Sequence, residues 1–150
     1  MSAKHYLNEI RKDRATIRAL RARLSELEWE ATGLTAIRYD KDRVQVSPEN
    51  RMETIIAEMD AERQKYLAAI RKYHEGVRLK EKQINDLDNR TYARFLELYY
   101  IEEDDEGYRP TLTAIAYRLG KSPANMSRLH MKALKAFERK FPKECRVTGR

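Results

Sequence analysis

One glycine constrains this chain more than any other residue. In Leu112-Thr-Ala-Ile-Ala-Tyr-Arg-Leu-Gly120 the apolar residues Ile115, Ala116 and Leu119 recur at helical spacing, and Gly120 follows at once. A helix end needs a residue there that tolerates positive φ. Ser122-Pro123 then supplies an N-cap and a favoured first helical residue. Met126, Leu129, Ala133, Leu134 and Phe137 share one face of a second helix. Two helices crossing steeply need a small residue at the crossing, and Ala116 provides it. Ile115, Leu119, Met126 and Leu129 would fill the shared core. The pattern predicts a helix-turn-helix between Leu112 and Phe141.

The same register turns Ser122, Ala124, Asn125, Ser127, Arg128 and Lys132 away from that core. A tight turn fixes the second helix so that its first turns project outward, as reading a major groove requires. Arg and Asn are the side chains that make two-point contacts to guanine and adenine. Ser122, Ala124, Asn125, Ser127 and Arg128 are therefore expected to face base edges of double-stranded DNA. Arg118, Lys121, Lys132 and Lys135 are expected to contact phosphate. The plainer alternative is an ordinary αα-corner with a solvated polar face.

Charge favours the sharper reading. The net charge is +7, but it is unevenly spread. Residues 1–33 carry seven basic and five acidic side chains, and residues 34–107 carry thirteen and seventeen. Residues 108–150 carry eleven and two. The basic excess thus sits on the segment with the turn, the electrostatic footprint of a polyanion-binding surface.

The rest of the chain reads as long helices, which makes the fold class all-α. Gly is 5 and Pro is 4, too little turn material for an all-β fold, and 37% of residues are charged, which suits solvated helices. In residues 2–32, Ala3, Ile10, Ile17, Leu24 and Ala31 recur every seven positions, with Tyr6, Leu20 and Leu27 at the second heptad position. Asp13 interrupts the pattern, and Gly33 is the expected stop. Trp29 is expected to cap the apolar seam. The flanks hold Arg11, Lys12, Arg14, Arg18, Arg21 and Arg23, read as a solvated face, with a second phosphate-contacting arm as the alternative.

Residues 34–47 read as a connector with a short extended piece at Arg43–Val46. Ser47-Pro48 restarts a helix over 48–87, whose stripe of Met52, Ile56, Met59, Tyr66, Ile70, Tyr73, Val77, Ile84 and Leu87 is broken by Arg63 and Lys80. Neither long helix can cover its stripe alone. An antiparallel coiled-coil hairpin is the simplest solution, the second helix being the longer. A homodimer through these helices is an equally physical one. Residues 1–87 would form this element and 88–141 the helix-turn-helix domain, followed by a basic tail, 142–150. Asp88-Asn89 caps a third helix over 90–101, expected to pack on the pair that follows. Glu102-Glu-Asp-Asp-Glu106 reads as a solvated acidic loop, because its spacing fits no Ca²⁺-binding pattern.

Catalytic signatures are missing: there is no Gly-rich phosphate loop, no HExxH and no nucleophile elbow. His5, His74 and His130 are far apart, and His130 reads as packed or phosphate-facing. A single cysteine, Cys145, excludes an internal disulfide and a Cys-rich zinc site. No enzyme activity, cofactor or metal is expected. No stretch approaches the ~18 apolar residues of a membrane span, and the N-terminal stretch lacks a signal-peptide core. A cytoplasmic location is expected.

The run Tyr39 to Pro48 (YDKDRVQVSP) before a long helix is similar to phage-encoded late-gene transcriptional regulators of the RinA and ArpU type. So are Tyr92-Ala-Arg-Phe-Leu-Glu-Leu-Tyr-Tyr100, Leu112 to Gly120, and Met126-Ser-Arg-Leu-His-Met-Lys-Ala-Leu134. The C-terminal half resembles region four of bacterial primary sigma factors, which reads the −35 promoter element. The acidic run before Thr111 and the Arg-rich first helix depart from the family pattern. The resemblance implies promoter binding and, as a further partner, RNA polymerase. Two other classes fit the composition: a small terminase-like DNA-packaging protein, and a coiled-coil scaffold without specific DNA binding.

Overall fold

The computed structural model describes the backbone of residues 2–41 and 47–145, and the side chains of 2–33 and 51–145. Among the described residues there are five α-helices and no strand. They are α1 (Ala3–Lys41), α2 (Ser47–Asn85), α3 (Arg90–Leu96), α4 (Leu112–Leu119) and α5 (Met126–Lys140). A π-helical turn, Glu97–Ile101, extends α3, and a 3₁₀ turn, Pro123–Asn125, leads into α5. No helix among the described residues is long and apolar enough to cross a membrane.

The first helix does not stop where the sequence pattern suggests. It continues through Gly33 to Lys41. Among the described glycines only Gly107 and Gly120 have positive φ, so Gly33 forms no left-handed cap. Glycine inside a helix costs only about 1 kcal/mol relative to alanine. That is too little to end a helix whose next turn, Leu34 to Arg38, contains no proline. The extended piece expected at Arg43–Val46 lies outside the described residues. The two long helices are each 39 residues, so the expected difference in length does not arise.

The chain forms two compact units, one joining residues up to Arg14 with those from Glu75 onward, the other spanning Ala15–His74. The sequence division at residue 87 follows chain order. The compact units do not, because apolar residues at the start of α1 and the end of α2 enter the C-terminal core. Tyr6, Leu7 and Ile10 of α1 are buried there, with Val77, Ile84 and Leu87, and with Phe95, Leu96, Ile115, Met126 and Phe137. The Tyr6 and Phe137 rings lie 6.0 Å apart. The Ala3 N–H donates to Glu138 Oε1 at 3.1 Å.

Within this unit α1 and α2 run antiparallel, because Tyr6 meets Gln83 while Glu9 meets Lys80. The Tyr6 hydroxyl donates to Gln83 Oε1 at 2.8 Å. Lys80, which seemed to break the apolar stripe, is buried, yet its ammonium lies 3.6 Å from Glu9 and 4.9 Å from the Tyr6 ring centroid. A buried cation is tolerable only with such partners. Burial also pushes the Asp13 carboxyl above its ordinary range, with Lys80 opposing the shift.

In the other unit Ile17 and Leu27 are buried, and Arg63 Nε pairs with Glu28 at 3.2 Å. Trp29, expected to cap the seam, is instead 78% exposed. It stands two residues from Leu27, about 200° around the helix, and so faces away from the seam.

Candidate functional site

The site begins with a helix built to stop. Thr111 caps α4, its Oγ1 accepting from the Ala114 N–H at 3.1 Å. Ile115 and Ala116 are fully buried and anchor α4 to the core. At Gly120 the backbone turns left-handed, φ 67° and ψ 34°. The Lys121 N–H then donates to the Ala116 carbonyl at 2.9 Å, and the Gly120 N–H to Tyr117 at 3.2 Å. This six-to-one plus five-to-two pair satisfies carbonyls that a helix end otherwise leaves open.

Ser122 is extended, φ −71° and ψ 133°, and its side chain makes no capping bond. Its carbonyl instead accepts from the Asn125 N–H at 3.1 Å, closing the 3₁₀ turn with Pro123 at its start. The helix expected over 122–137 is therefore a 3₁₀ turn followed by α5. Met126, Ala133 and Phe137 bury one face of α5, with Leu129 and Leu134 partly covered.

His130 fixes α5 from the side. Its Nε2 lies 2.6 Å from the Tyr100 hydroxyl, and its ring packs on those of Tyr99 (4.4 Å) and Phe95 (5.3 Å). Burial lowers its pKa, with Lys4 and Arg109 acting in the same sense. Burial likewise raises that of Tyr100. The histidine is a packing group here.

The opposite face of α5 is open. Ser122, Ala124, Asn125, Ser127 and Arg128 are all exposed, as are Lys121, Lys132 and Lys135. Lys121, Ser122, Asn125, Arg128 and Lys132 line a groove of about 550 Å³, whose other wall is Asn89, Thr91 and Tyr92 at the start of α3. Asn89 Oδ1 accepts from the Thr91 and Tyr92 N–H groups at 3.0 and 3.2 Å. The capping signal at Asn89 was readable; its nearness to Lys121 and Arg128, more than thirty positions on, was not.

Arg118 stands apart from the lysines. Its guanidinium lies 3.6 Å from Glu102, so part of its charge is already answered. The acidic run, read as a solvated loop, is exposed at residues 104–106 and closes a turn. Asp104 Oδ1 accepts from the Glu106 and Tyr108 N–H groups, and Gly107 has φ 87°. Glu103 faces Arg11 at 3.4 Å. Among the described residues no three His, Cys, Asp or Glu side chains are placed to hold a metal ion.

No family model, no curated protein and no solved structure matches the chain. The chemistry of the site is a row of short polar groups, one guanidinium and flanking ammonium groups, part of which lines the groove against α3.

Proposed function

We propose that this chain is a sequence-specific DNA-binding transcriptional regulator whose Leu112–Phe141 segment acts as a helix-turn-helix. In this reading the start of α5 enters the major groove. Ser122, Ala124, Asn125, Ser127 and Arg128 meet base edges, while Lys121, Lys132 and Lys135 hold phosphates. The observation that carries it is the left-handed turn at Gly120, followed by an exposed, mostly polar row from Ser122 to Arg128 that spans the 3₁₀ turn and the start of α5, with lysines at its edges. The charge excess of residues 108–150 supports it, as does the resemblance to sigma region four and to phage late-gene regulators.

The long helices then set the oligomeric state, through a coiled-coil hairpin or dimer, or present a surface to RNA polymerase. The protein acts in the cytoplasm without enzymatic chemistry. The test is selection from a random duplex pool with the purified chain. Recovery of a common sequence, bound more tightly than random duplex at the same salt, is the expected result. Enrichment of no sequence would refute the reading.

A further inference from the structure

Met131 is the apolar residue that the α5 core does not use. It is 59% exposed, whereas Met126, Ala133 and Phe137 are buried on the other face. An isolated exposed methionine is an ordinary surface feature; its position on α5 is what argues for more. At about 100° per residue, Ser127 lies about 40° to one side of Met131, with Arg128 and Lys135 about 60° and 40° to the other. Met131 thus occupies the middle of the outward face, and Lys132 lies farther from its centre.

Along the axis Met131 sits about 4.5 Å beyond Arg128. That is little more than one base-pair step of about 3.4 Å. A thioether is flexible, polarisable and a poor hydrogen-bond partner, so it has little to offer a polar base edge. The apolar group presented in the major groove is the C5-methyl of thymine.

We propose that Met131 is a specificity-determining residue that packs on the C5-methyl of a thymine beside the base pair contacted by Arg128. The inference rests on the DNA-binding reading above. The experiment takes the selected duplex, replaces each thymine in turn by deoxyuridine, and measures Kd by fluorescence anisotropy at fixed salt. The full-length chain and its Met131→Ala variant are compared, with Met131→Leu as an apolar control.

One replacement beside the Arg128 contact should weaken the parent chain about fourfold, the loss expected for uncovering a methyl group. Met131→Ala should bind the thymine duplex more weakly by a similar factor and no longer distinguish thymine from uracil, while Met131→Leu keeps the distinction. Equal penalties in the parent chain and Met131→Ala, no penalty at any thymine, or a selected sequence with no thymine there would each overturn the assignment. Failure to select any sequence would instead bring down the DNA-binding reading, and this inference with it.

Discussion

Gly120 is the residue on which the exposed row depends. A β-carbon there would meet nothing within 4 Å, so space is not the constraint. Its φ of 67° is. Left-handed backbone costs a non-glycine residue roughly 1–2 kcal/mol, so Gly120→Ala should lower unfolding stability by about that much in urea titration. Gly120→Asn should lower it less, since asparagine tolerates this conformation. Equal stability of the alanine variant would show that the turn is not held in this form.

His130 gives a second residue-scale expectation. Its folded pKa lies below the unfolded value because burial disfavours the imidazolium. The stability it contributes is then fully present above the unfolded value and is lost as pH falls through the folded one. Thermal stability should decline as pH drops below about 6.5, and His130→Gln should show a shallower decline. Asp13 acts in the opposite sense at lower pH, because its raised pKa makes the folded state take up a proton first. The His130→Gln comparison separates the two. A decline unchanged by the substitution would place the effect elsewhere.

At the scale of elements, the arginines of the first helix join its start to the end of the π-helical turn within one compact unit. Arg11 Nη2 donates to the Tyr99 carbonyl at 2.7 Å and to the Glu102 carbonyl at 3.0 Å, and Arg14 donates to the Ile101 carbonyl. These carbonyls end the π-helical turn, where a helix leaves acceptors open. A planar guanidinium can serve two of them at once; an ammonium is less suited. Arg11→Ala should cost about 1–3 kcal/mol of stability, with Arg11→Lys recovering only part, as urea titration can measure. A neutral Arg11→Ala would leave the π-helical turn standing without this cap.

What was legible followed from local chemistry. The α3 cap at Asn89, the α4 cap at Thr111, the stop at Gly120 and the buried stripe of α5 all rest on residues a few positions apart. The reading of Arg11 and Arg14 as a solvated or phosphate-facing flank missed their carbonyl partners, which lie 87–91 positions away. Gly33 misled because glycine signals a helix stop only where the chain takes positive φ. The exposed row Ser122 to Arg128 came from helical register alone. The α3 wall of its groove needed the folded chain.

For the whole molecule, the excess of basic over acidic residues is concentrated in residues 108–150. Charge alone would bind any duplex, and sequence preference has to come from groups that touch base edges. Those two contributions are separable by substitution. Lys132→Ala should weaken binding to all duplexes alike and reduce the slope of log affinity against log salt by about one. Arg128→Ala should act on the preferred duplex.

The most direct measurement is therefore Kd for preferred and random duplexes, at one fixed salt concentration, for the parent chain and Arg128→Ala. The account predicts a loss of about 5- to 150-fold on the preferred duplex, relaxed preference at one base position and little change on random DNA. An equal loss on both duplexes, or no loss on either, would contradict it.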